Sequence, residues 1–157
     1  EKEINSIKSL PINGVVIGAL NKKNHIPVKM LKKLVKIIKP LDITFHRAFD
    51  VLNNPLESIL ELSKIGFDRI LTSGQADTAE KGLDMLIKLK EKADGKITIM
   101  PGGGINQSNF SLFLKNGFNE IHLSAKNKSK ENEIEQTADP RIIKKVVSLS
   151  KSYKRNE

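Results

Sequence analysis

Residues 42–74 read DITFHRAFDVLNNPLESILELSKIGFDRILTSG and hold one whole strand–helix–strand unit. The short apolar run 42–47 (DITFHR) reads as a strand. Its loop carries Asp50 and Asn53, while Asn54 suits an N-cap and Pro55 the first helical turn. Leu56, Ile59, Leu60 and Leu62 continue the helix until Gly66, a residue that readily ends one in the left-handed conformation. The next strand, 68–73 (DRILTS), begins two residues later. Strands separated by a helix run parallel, because only a long crossover returns the chain to the same end of a sheet.

The unit repeats in both directions. Upstream, 12–20 (INGVVIGAL) reads as a strand and Val28–Ile38 as a helix, with Met30, Leu31, Leu34, Val35 and Ile38 at apolar spacing and Pro40 as its stop. Downstream, a helix over 77–93 leads through Gly95 to a strand at 96–101 (KITIMP). Gly102-Gly103-Gly104 opens the next loop, a helix over Gln107–Lys115 is capped by Gly117, and 119–124 (NEIHLS) is the fifth strand. Residues 126–138 read as a polar loop, Asp139-Pro140 as the N-cap and first residue of a last helix, and 152–157 as a frayed tail. The phrase "helix, Gly-hydrophobic-Asx, strand" occurs at Gly66-Phe67-Asp68 and again at Gly117-Phe118-Asn119. Such periodicity is that of an α/β protein of the TIM (β/α)8-barrel type, with a doubly wound open sheet as the alternative. A whole barrel takes eight units and about 250 residues, whereas these 157 residues hold five. We therefore expect one incomplete barrel domain over 1–157, lacking three N-terminal units. Five barrel strands cannot close and would leave two hydrophobic edges.

Composition excludes several function classes. Charged residues make up 29% and hydrophobic residues 38%, the balance of a globular chain rather than a disordered one. No apolar run approaches the roughly 20 residues that span a membrane. The opening EKEINSIK is not a signal peptide. Without cysteine there is neither a disulfide nor a thiolate metal site, which is compatible with a reducing cytoplasm. The net charge of +9 raises nucleic acid as a partner, but Lys29, Lys32, Lys33, Lys36 and Lys39 lie along a helix without aromatic residues between them. Solvated helix faces account for that charge, so nucleic acid is not an expected partner.

Three blocks carry a likeness. Thr44-Phe45-His46-Arg47-Ala48-Phe49-Asp50 is followed by Arg69-Ile70-Leu71-Thr72-Ser73-Gly74 and then by Ile99-Met100-Pro101-Gly102-Gly103-Gly104-Ile105; Glu120-Ile121-His122-Leu123-Ser124-Ala125 closes the series. In order and spacing these blocks resemble the CutC copper-homeostasis family. The resemblance implies that the strands are the fourth to eighth of a barrel, and that the protein is cytoplasmic, acts in copper homeostasis and takes copper ion as a ligand. The expected assembly is a homo-oligomer, a dimer or tetramer.

Barrel sites lie at the C-terminal ends of the strands, where each block ends. Strand alternation puts Thr44 and His46 on the inner face, with Arg47 at the rim, and likewise groups Glu120, His122 and Ser124. We take His46, Arg47, Asp50 and His122 as candidate catalytic residues, the histidines as acid or base. Thr44, Ser73, Glu120 and Ser124 are candidate ligand contacts, as are Gly102, Gly103 and Gly104, whose backbone would approach an anion with the next helix's N-terminus behind it. A buried hydrogen-bonded network that fixes the barrel is the structural alternative for these polar groups. His25 sits in the polar loop NKKNHIP, outside the site.

Copper narrows the metal ligands to His46 and His122. Cu(I) favours sulfur, and the only sulfur here is in Met30, Met85 and Met100, the first two placed as core filler on helices. No Gly-x-Ser-x-Gly elbow surrounds Ser73, and no strand ends in a lysine that could form a Schiff base. Two functions follow: a protein of copper homeostasis, or a barrel enzyme acting by histidine acid–base chemistry on a small anionic or phosphorylated metabolite.

Overall fold

The computed structural model describes residue 6 and residues 10–126 and 138–154. Four strands, β1 (Gly14–Ile17), β2 (Asp42–Phe45), β3 (Arg69–Thr72) and β4 (Thr98–Pro101), form a parallel sheet in chain order. The helices are α1 (Val28–Ile38), α2 (Pro55–Ile65), α3 (Leu83–Ala93), α4 (Phe110–Lys115) and α5 (Pro140–Lys154). This is the α/β architecture expected, as part of a barrel wall.

Register sorts the sheet's two faces. One row aligns Ile17, Phe45, Ile70 and Ile99. Phe45 and Ile70 in it are fully buried, together with Leu31 and Ile38 of α1, Ile59 and Leu62 of α2, and Leu86 and Leu89 of α3. The alternate row is Val16, Thr44, Arg69 and Thr98, on the face away from this core.

The repeated Gly-hydrophobic-Asx phrase has a physical reason. Gly66 ends α2 at φ +108, and its N–H reaches the carbonyls of Leu62 and Ser63. Phe67 then turns into the core, edge-on to Phe45 at 5.4 Å. Asp68 accepts from the Ile43 amide at 2.7 Å and from the Lys39 ammonium at 2.9 Å, so the start of β3 is tied to β2. Gly117 at φ +69 and Phe118, packed on Phe113 at 6.4 Å, repeat the first two steps.

Several boundaries differ from expectation. No strand forms at 119–124; a single parallel bridge joins Gly102 to His122, with the His122 amide donating to the Pro101 carbonyl at 2.8 Å. A short 3-10 turn, Arg47–Val51, occupies what reads as loop. The helix expected over 77–93 begins only at Leu83, because Gln75 (φ +61) and the contact of Gly82 with the Ser73 carbonyl hold 74–82 in turns. The helix expected from Gln107 begins at Phe110, since the Asn106 and Asn109 side chains bond amides of 108 and 106 and compete with helical pairing. Asn54 precedes α2 without a side-chain cap; its carbonyl accepts from the amide and hydroxyl of Ser58 instead. Met30, placed above in the core, is 43% exposed, since the buried stripe of α1 is Leu31, Val35 and Ile38.

Asp139 does cap α5, accepting from the Arg141 amide at 2.8 Å, and its hydrogen bond with the Arg141 side chain holds its carboxyl below the usual range. Residues 152–154, read as part of a frayed tail, continue α5; 155–157, and 127–137 of the polar loop, lie outside the described residues. Among the described residues no helix is long and apolar enough to cross a membrane.

Phe45 joins both layers of this packing, which makes it the position to test. In the intact protein, Phe45→Ala should lower the free energy of unfolding by about 3–5 kcal/mol in urea titration. A loss below about 1 kcal/mol would show that the sheet–helix core is not organised around this ring.

Candidate active site at the strand ends

Parallel strands release their loops on one side of the sheet, and there the loops after β2, β3 and β4 meet. Asp50, in the 3-10 turn after β2, is the hub. Its carboxylate accepts from Arg47 Nε at 2.7 Å, from the Ser73 amide at 3.0 Å and from the Thr72 hydroxyl. The Ser73 hydroxyl accepts from Arg47 Nη2 at 2.9 Å, and its one proton serves either Asp50 Oδ2 at 3.0 Å or the Ala76 carbonyl. Asp50 is 10% exposed and Arg47 45%, so a buried acceptor holds a half-open cation.

The guanidinium rests on the glycine loop. A Cβ on Gly103 would stand 3.2 Å from both Cζ and Nη1 of Arg47, and Gly103 itself is at φ +111. Glycine is required here on both counts. Among the described residues, Nη1 and the second N–H of Nη2 keep no hydrogen-bond partner, and neither do the amides of Gly103 and Gly104.

An open cavity of about 620 Å³ lies against this cluster. Arg47, Gly103, Gly104, His122 and Ser124 line it, of the residues expected from sequence. So do Asn106, Gln107, Ser108, Lys126 and the α5 residue Ile142, none of which the sequence reading had placed in the site. His122 and Ser124 are exposed, not enclosed. Asp50 and Ser73 stand behind Arg47, outside the cavity lining.

His46 and Glu120 have other engagements. The His46 Nδ1 accepts from the Ala48 amide at 3.0 Å, capping the 3-10 turn, so in the neutral ring the proton sits on Nε2. Its imidazole lies against Gly18, where a Cβ would come within 2.8 Å of Cε1. Glu120 is bound to Arg69 Nε, and Asp42 takes Arg69 Nη1 at 3.0 Å. The Glu120 bond foremost, and Asp42 with it, raise the Arg69 guanidinium above its ordinary value against the pull of burial. Thr44 is in the same sheet row as Arg69, below the cavity. Arg69 was legible all along: in DRILTS, Ile70 packs inward to the helices, which sends Arg69 to the other face.

A stretch of parallel barrel wall with a polar, arginine-bearing cavity at its strand ends defines a TIM-barrel-type α/β protein. The match to known proteins narrows this: the CutC family model fits residues 1–127, and the chain belongs to the CutC family. It is 42% identical over 125 residues to the family protein CutC of Parabacteroides distasonis, covering 79% of this chain and 51% of that protein. It is 40% identical over 125 residues to the copper homeostasis protein cutC homolog of Homo sapiens, covering 79% and 46%. A crystal structure described as a copper homeostasis protein CutC from Streptococcus agalactiae superposes with a TM-score of 0.73 at 29% identity, over 77% of this chain and 60% of that one. A thiamine phosphate pyrophosphorylase from Pyrococcus furiosus shares the fold alone, with a TM-score of 0.63 at 21% identity, over 96% and 65%. The chain spans about half the length of the curated relatives it matches.

If Asp50 organises the strand ends, removing its carboxylate must cost more than removing Arg47. Asp50→Ala should lower the unfolding free energy by about 3 kcal/mol, since it strands a guanidinium and a buried hydroxyl at once. Arg47→Ala should cost about 1 kcal/mol, because the group is half exposed. The reverse order in denaturant titration would refute Asp50 as the hub.

Proposed function

We propose that this chain is part of a cytoplasmic protein of copper homeostasis, the role for which its relatives are named, and that its strand-end cavity takes a small anionic or phosphorylated metabolite. One observation carries the second half. Asp50 and Ser73 hold Arg47 so that its unengaged Nη1 lies beside Gly103, and Arg47, Gly103 and Gly104, with their unengaged N–H groups, line the same cavity. A fixed guanidinium next to free backbone donors is complementary to a phosphate or carboxylate. The six residues of α4 begin only at Phe110, so no helix dipole is invoked. His122, on the same wall, is the candidate for moving a proton, with Asp50 as the orienting carboxylate and Ser73 as its partner. Thr44, His46 and Glu120 then support the site from below.

Copper enters at the level of cellular role. Among the described residues no three of His, Asp and Glu are grouped to hold a metal ion. His122 faces the cavity while His46 is occupied as a cap, so the pair is a poor chelate. Met100 is half-buried on β4 and Met30 is on the outer surface of α1, so these two thioethers do not converge. The intact molecule is proposed to be a homo-oligomer.

Calorimetry of the intact protein with inorganic phosphate tests the anion reading. Arg47→Ala should weaken binding about tenfold or more, and Gly103→Val should do likewise by displacing the guanidinium and straining a positive φ. Equal affinity in all three proteins would end the idea. For the metal, Cu(I) titrated against a competing chelator should give the same affinity for the intact protein and its His46→Ala, His122→Ala double variant. A loss of affinity in the double variant would mean that the histidines are copper ligands after all.

A further inference from the structure

The anion accounts for only one end of the cavity. A space of about 620 Å³ is far larger than a phosphate ion, and it falls in the range that encloses a whole small metabolite. Beyond Arg47 and Gly103 its wall includes four aliphatic side chains from separate parts of the chain: Leu71 of β3, Ile105 after the glycine loop, Leu123 and Ile142 of α5. Three of the four, Leu71, Leu123 and Ile142, are only half-buried and present apolar surface to the space. Gly102 shapes this side: a Cβ there would stand 2.4 Å from Leu71 Cδ1, so its absence lets the leucine reach across the loop.

Water against such a wall is replaced favourably by carbon. A hydroxyl pressed against these four side chains would lose a hydrogen bond to water and gain none from them, whereas the polar residues Asn106, Gln107, Ser108 and Ser124 line other parts of the wall. The charged end and the aliphatic side together specify a molecule with two unlike halves. Resting on the anion reading above, we propose that the natural ligand is a phosphate monoester, or an equivalent anion, of a compact apolar or aromatic group. Arg47 takes its charged end, and Ile142 and Leu123 select its body.

Four probes against the unmodified intact protein test this without relying on any variant: inorganic phosphate, glycerol phosphate, phenyl phosphate and benzyl alcohol. Phenyl phosphate should bind about tenfold tighter than glycerol phosphate or inorganic phosphate, as burial of an aromatic ring supplies. Ile142→Ser should bring phenyl and glycerol phosphates to within about threefold of each other. Glycerol phosphate binding as tightly as phenyl phosphate would overturn the apolar body and leave the anion site standing. Benzyl alcohol binding as tightly as phenyl phosphate would instead remove the anion, and this proposal falls with it. So would the failure of all three phosphates to bind.

Discussion

Parallel strands cannot be joined by a tight turn, and that constraint arranges everything else in this molecule. Each strand must be followed by a crossover, so every β-to-α loop leaves from the same edge of the sheet. Residues far apart in sequence, Arg47, Ser73 and Gly103, become neighbours because each lies just past a strand end on that edge: Thr72 is level with Pro101, and β2 stops two residues lower, at Phe45 beside Ile70. The paired register from β1 to β4 is thus what builds the site, and helix packing on Phe45 and Ile70 is what holds the register.

Two charge clusters are stacked on the sheet, and they are built differently. Arg69 is a cation with two carboxylates, Glu120 and Asp42, and its charge is spent within the wall. Asp50 is a carboxylate with one cation and a set of hydroxyl and amide donors, which leaves part of Arg47 uncommitted. The lower cluster ties β3 to the start of β2 and to the segment after α4. The upper one presents a donor edge to solvent.

The fold was largely legible because it depends on patterns that local physics enforces. Val28–Ile38 and Pro55–Ile65 match their sequence boundaries closely, since proline, glycine and apolar spacing act within a few residues. The turns at 74–82 and 105–109 were missed because their causes are side-chain to backbone bonds and a close glycine–carbonyl contact that involve partners chosen by the tertiary fold. The fifth strand failed similarly: Ile121 and Leu123 alternate as a strand should, yet only His122 forms a bridge, with Gly102 just past β4. Of the residues expected at the strand ends, Arg47, His122 and Ser124 line the cavity. Strand-end position could not reveal that His46 caps its own turn, or that Ile142, from the last helix, completes the wall.

Within this stretch of the wall, the side of β1 turned away from β2 has a bearing on how such a chain would behave in bulk if nothing covered it. Among the described residues no strand pairs with that side, Val16 is 61% exposed on the sheet face away from the core, and Gly14–Ile17 holds no charged residue to repel a visitor. An open ladder beside a branched side chain is a template for edge-to-edge aggregation. Between two chains left with that side open, a net charge of +9 would supply long-range repulsion. Salt shortens that repulsion to about 8 Å at physiological strength. If β1 were uncovered, colloidal stability would therefore rest on the lysines of the outer helices rather than on the strand itself, and such a chain should stay dispersed better in dilute buffer than in concentrated salt.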